Sequence, residues 1–178
     1  ILPAMNSKDS PLSELPRAKD MFSTDPAKIT AAFQGVGASV RSGDKIDEMY
    51  DEPLINSIWG QNIAAAEKYN EPGVFTTFSA YEFTSVTTED SEGGFGGGNL
   101  HRNVFFRGEA PDRAFSTLDS TNPEDLWDWM DAQRAEGRES IAIPHNSNVS
   151  DGQMFRLETY NGDPLDAAYA DQRNRNEP

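Results

Sequence analysis

The stretch Asn122-Pro123-Glu124-Asp125-Leu126-Trp127-Asp128-Trp129-Met130, running on to Gly137 and then into Ser140-Ile141-Ala142-Ile143-Pro144-His145, decides the fold class. Asn122 has the side chain of an N-cap, Pro123 suits the first helical position, and Asp125 places negative charge in the first turn. The helix that follows turns Leu126, Trp129 and Met130 inward and stops at Gly137. A short β-branched strand comes almost at once. A helix returning so directly into a strand reads as the second half of a crossover unit, which predicts an α/β fold with mostly parallel strands and crossover helices.

Working back from there, Phe75 to Thr84 is rich in aromatic and β-branched residues and follows the turn signal Pro72-Gly73, so it reads as a strand. Leu100 to Phe106 reads as another, after a stretch holding Gly93, Gly94, Gly96, Gly97 and Gly98 that reads as a flexible loop. Ile55, Ile58, Trp59, Ile63 and Ala66 recur at helical spacing between Pro53 and Tyr69. Asp25-Pro26 opens a shorter helix with Ile29, Ala32 and Phe33 on one face, weakened at its end by Gly35 and Gly37. Ahead of it, Pro3, Pro11 and Pro16 among Ser and Asp read as loop.

Composition narrows the function classes. With 15 Lys and Arg against 30 Asp and Glu, the net charge of −15 argues against a nucleic-acid backbone or an anionic membrane as partner. A phosphorylated substrate would need local positive charge, which a bound divalent cation can supply even in an acidic chain. The absence of Cys removes disulfides, thiolate metal sites and cysteine nucleophiles, leaving oxygen and imidazole ligands. No apolar run approaches the roughly 20 residues of a membrane-spanning helix. Ile1-Leu2-Pro3 carries neither an initiator Met nor a signal-peptide pattern, and the chain stops in polar Asn174 to Pro178. The expectation is one domain over residues 1–178, an internal fragment of a larger protein whose compartment the sequence does not fix.

Both histidines of the chain lie at predicted strand ends, where α/β enzymes place working groups. His145 follows Pro144, which ends the ladder, and leads into Asn146, Ser147 and Asn148, a polar turn able to orient a ligand or bind substrate. His101 shares a strand face with Asn103 and Phe105, while Leu100, Arg102, Val104 and Phe106 take the other. Glu82 shares a face with Phe78 and Ala80, so its carboxylate is expected to point toward the core, where it needs a partner or a metal. One Glu and two His make a borderline-hard site suited to Zn, Mn or Fe. On spacing alone, His145 could equally be a rim histidine bonded to backbone, and His101 a residue that closes the glycine-rich loop. That loop lacks the Lys-Ser/Thr of a phosphate cradle, and no nucleophile-elbow motif surrounds Ser147 or Ser150.

The words Tyr81-Glu82-Phe83-Thr84-Ser85, Asn99-Leu100-His101-Arg102-Asn103-Val104, Pro123-Glu124-Asp125-Leu126-Trp127 and Ala142-Ile143-Pro144-His145-Asn146 occur in this order. Together they resemble the bacterial family catalogued as domain of unknown function 3604, over almost the whole chain. That family is similar in turn to the polymerase and histidinol phosphatase (PHP) superfamily of metal-dependent phosphoesterases. The resemblance implies a PHP-like distorted β/α barrel with two or three divalent ions acting on a small phosphoester. It implies Glu82, His101 and His145 as metal ligands, with Glu82 bridging ions and Glu82 and His145 catalytic. Arg102, Asn103 and Asn146 are expected beside the substrate. The superfamily's His-x-His, Asp-His and late Asp-x-His motifs are not in this sequence, so the fragment alone is expected to hold part of a site, with no metal tightly bound. The other function class the residues allow is a non-catalytic α/β scaffold or binding module.

Overall fold

The computed structural model describes residues 5–87 and 97–178. Ile1 to Ala4 and the glycine-rich stretch at Gly93, Gly94 and Gly96 lie outside the described residues. Among those described, five α-helices and a three-stranded sheet carry the architecture: α1 (Pro16–Met21), α2 (Pro26–Ser42), α3 (Glu52–Tyr69), β1 (Ser79–Phe83), β2 (Arg102–Arg107), α4 (Pro123–Ala135), β3 (Glu139–Pro144) and α5 (Ala167–Asn176).

Local chemistry explains the helix starts. Asp25, Asp51 and Asn122 each accept a backbone N–H in the first turn, at Ala27, Leu54 and Glu124, and each is followed by a proline in the first two helical positions. Each such cap contributes about 1 kcal/mol. Helix α2 runs past Gly35 and Gly37, where the sequence predicts weakening, and ends instead on Gly43, which takes the left-handed conformation with φ 73°. The proline-rich opening, read as loop, forms a 3₁₀ turn at Pro11–Glu14 and helix α1. There Pro11 and Pro16 act as first-turn residues, the one helical position at which a missing N–H costs nothing.

The sheet overturns the expected parallel α/β barrel. Its order is β1-β2-β3, and both pairings are antiparallel, with Glu82 opposite Asn103 and Arg102 opposite Pro144. The reason lies in where the chain returns. Arg107, the last residue of β2, pairs with Glu139, the first of β3, so the excursion through α4 leaves and re-joins the sheet at the same end. A helix followed closely by a strand shows that the helix lies against the sheet; whether its far end or its near end receives the next strand depends on the connection before the helix. Here residues 108–122 make the outward leg and α4 the return.

Among the described residues, α3 and α4 cover one face of the sheet. Trp59 of α3 and Leu126, Trp127 and Met130 of α4 meet Phe83, Val104, Phe106 and Ala142 in the main core. The aromatic rings interlock edge-on, Trp59 at 5.7 Å from Tyr81 and 6.1 Å from Phe106. The Trp59 indole N–H is satisfied by the Pro111 carbonyl at 2.7 Å. Trp129, predicted inward, is half-buried against Phe106 and Phe115, and the fully buried indole is that of Trp127. A second, smaller cluster of Met5, Ala18, Met21 and Ala32 holds α1 to α2.

Among the described residues, the opposite face of the sheet carries exposed apolar side chains. Phe78, Ile141 and Ile143 are 54%, 41% and 48% exposed. Glu82 projects on this side, so its predicted direction toward the core is corrected: it shares a face with Phe78 and Ala80, but that face is the open one. Strand periodicity assigns residues to two sides; with aromatic residues on both, it does not say which side the helices take.

Candidate metal centre

The antiparallel order has a direct effect on the site. The C-terminal end of β1, the N-terminal end of β2 and the C-terminal end of β3 all lie at one end of the sheet. Glu82 comes from the first, His101 from the residue before the second, and His145 from the residue after the third. In the parallel sheet that the sequence suggests, the start of β2 would sit at the far end from the other two. The inversion of β2 is what brings His101 to its neighbours.

The three side chains offer one ligand atom each, all within 4.8 Å of one another. Glu82 Oε1 lies 2.9 Å from His101 Nδ1, and Glu82 Oε2 lies 3.4 Å from His145 Nε2. The carboxylate thus faces one imidazole with each oxygen. The two rings stand nearly perpendicular, with centroids 5.7 Å apart. The backbone N–H of His145 donates to the His101 carbonyl at 3.1 Å, extending the β2–β3 ladder by one step and fixing the two histidines side by side. Asn99 Oδ1 accepts from the His101 backbone N–H at 3.0 Å, and the Thr84 hydroxyl donates to Glu82 Oε1 at 3.0 Å.

Electrostatics favour the ligating form of one ring. Burial pushes the His101 imidazole below its ordinary value, against the raising effect of the adjacent Glu82 carboxylate, and His145 adds to the lowering. A neutral imidazole is the form that binds a metal. A carboxylate with two imidazoles is a donor set that zinc takes, and one such atom from each of the three residues lies within 4.8 Å of the others. The Glu82 side chain is 44% exposed and opens the cluster to solvent, leaving room for further ligands or a reacting group. His145 Nδ1 is buried with no hydrogen-bond partner among the described residues, so its ring is oriented from the Nε2 side and by the backbone ladder.

Of the residues expected beside the substrate, Asn103 is half-buried on the same face of β2 as His101, opposite Glu82 and Ile143. Asn146 follows His145 directly, exposed and left-handed with φ 61°, so the chain bends away immediately after His145. Arg102 is not brought to the cluster. Its side chain is on the packed face, 4% exposed, with Nε 2.5 Å from Glu177 Oε1 and a further bond to the Leu100 carbonyl. Glu177 is itself 1% exposed and accepts from the Trp127 indole at 2.9 Å. Sequence reasoning missed Thr84, Asn99 and Glu177. Thr84 was within reach, since the two-residue period puts it on the Glu82 side; Glu177 carries no local signal of its distant partner.

With this geometry established, comparison with known proteins is narrow. The family described as protein of unknown function (DUF3604) matches over residues 4–178. Neither a curated protein nor a solved structure matches the chain. A match over nearly the whole sequence, one that spans Glu82, His101 and His145, places this chain in the DUF3604 family.

Proposed function

We propose that this chain carries part of a metal-dependent hydrolase centre acting on phosphoesters, with Glu82, His101 and His145 as metal ligands. The observation that carries the reading is the convergence of these three side chains within 4.8 Å, from three separate strand ends. The order Glu, His, His along the chain supports it, being the order of ligands in the PHP superfamily that the sequence resembles. Zn, Mn and Fe all suit a carboxylate with two imidazoles.

A divalent ion held there would supply a Lewis acid for a phosphoryl oxygen and lower the pKa of a bound water. The chain's own residues do the rest. Glu82 would share the ion with the two imidazoles that its oxygens face, and the Thr84 hydroxyl bonds the carboxylate. Asn103 shares the face of β2 that carries His101, and Asn146 follows His145 directly, so their amide groups would serve to bind the polar part of a substrate. A full hydrolytic centre of this kind uses more protein ligands than three, and a partner segment or further residues would complete it.

The test is metal content together with hydrolysis. Protein equilibrated with zinc or manganese is expected to take up metal measurably, by equilibrium dialysis with elemental mass spectrometry, and Glu82→Gln to take up less. Turnover of bis-p-nitrophenyl phosphate is expected only with metal. Equal metal content in wild type and in Glu82→Gln would sink the reading.

A further inference from the structure

Beside the candidate centre lies a cavity of about 430 Å³ whose wall includes Glu82 and Thr84. Its remaining lining comes from four other places in the chain: α2, the segment leading into α3, α3 itself, and residues 116–118. The side chains there are mainly aliphatic, with Val36, Val40, Ile55, Ile58 and Leu118 facing the space. None of these five is fully buried, and Ile58 is 40% exposed. Val36 also packs against the second cluster, while the wall as a whole is more exposed than the main core. The volume falls within the range of roughly 300–1,000 Å³ typical of small-molecule sites.

We infer that this cavity is the subsite for an apolar group of the substrate, so that the centre acts on phosphoesters carrying an alkyl or aryl substituent. The inference rests on the metal-centre reading, and it adds the substrate class to it. Its basis is the double membership of Glu82. One carboxylate both faces the two histidines and lines the apolar space, with Thr84 on the same wall bonded to it at 3.0 Å. A molecule whose phosphoryl end reached the histidines would therefore have its next few atoms at the mouth of the cavity. An acidic protein of net charge −15 also gains from such an arrangement, because an anionic substrate must be drawn in by something besides the protein's overall field. Aliphatic burial supplies attraction that charge does not.

The experiment titrates a series of n-alkylphosphonates, from methyl to octyl, into the full chain with and without zinc. Binding is followed by calorimetry and by the methyl NMR signals of valine, isoleucine and leucine. Affinity is expected to rise by about fourfold for each added methylene that is fully buried, until the cavity is filled, with shifts confined to methyl groups of its wall. Ile58→Trp, which fills the space from a partly exposed position, is expected to flatten that slope. Leu118→Ala, which enlarges it, is expected to extend the rise to longer chains. A flat slope in wild type, with or without zinc, overturns the subsite. A slope that persists unchanged in both variants overturns it as well. If zinc makes no difference to methylphosphonate binding, the metal reading fails separately, and the slope in the metal-free protein still decides the cavity.

Discussion

The two faces of the sheet are built from the same kinds of residue and behave oppositely. On one, Phe83, Val104, Phe106 and Ala142 vanish beneath α3 and α4 and interlock with Trp59, Trp127 and Met130. On the other, Phe78, Ile141 and Ile143 face solvent beside Glu82, His101 and His145. The strands alternate between them with a two-residue period, so every strand contributes equally to both. The difference teaches that stability and candidate chemistry are separated by the thickness of one sheet. Substitutions on the packed side should unfold the protein, and those on the open side should change what it binds.

The largest effect should come from the packed face. Phe106→Ala is expected to lower the unfolding free energy by about 4 kcal/mol, the usual cost of a large core cavity. Urea denaturation measures it, and a loss no larger than that of Ile143→Ala would break the comparison. Next comes the buried ion pair on the same side. Glu177→Ala strands the Arg102 guanidinium, 4% exposed, and should cost about 3 kcal/mol. Adding Arg102→Met to that variant should recover part of the loss, since it removes the uncompensated charge.

On the open face the expected effects are smaller and of a different kind. Zinc at a hundred times its dissociation constant should stabilise the wild type by about 2.7 kcal/mol, seen as a rise in Tm that disappears in His101→Ala. Acidification should act in the opposite direction. The His101 imidazole is held below its ordinary value of 6.5 by burial, so the unfolded chain takes up its proton first. Its contribution to stability is present above that value and is lost as pH falls through it, levelling off below the lowered folded-state value. Tm measured between pH 8 and pH 5 should therefore decline more in wild type than in His101→Gln. The smallest change belongs to Ile143→Ala, expected to stay within about 0.5 kcal/mol, as for most substitutions of exposed residues.

Much of this was legible in the sequence, for identifiable reasons. Asn122-Pro123 and Asp25-Pro26 carry their capping chemistry locally, and helices begin at both. The alternation of Leu100, Arg102, Val104 and Phe106 against His101, Asn103 and Phe105 gives the two sides of β2 correctly. Strand direction was not legible. Nothing in Ser140-Ile141-Ala142-Ile143 records which way it runs, because hydrogen-bonding backbone is the same in both orientations, and only the path of residues 108–122 settles it. The side of the sheet to which Glu82 belongs was hidden for a similar reason. Which face is covered is decided by helices elsewhere in the chain. The three site residues were singled out by residue type and strand-end position, and those two properties survive a change of strand direction.

The contact between Arg102 and Glu177 joins residues separated by 75 positions. A chain emerging from the ribosome completes β1, β2 and even β3 before the carboxylate that neutralises Arg102 has been made. Until α5 swings in, the guanidinium must stay in water, and the layer that will enclose it must remain ajar. Enclosing Arg102 beneath the sheet therefore waits on Glu177, the residue that caps α5.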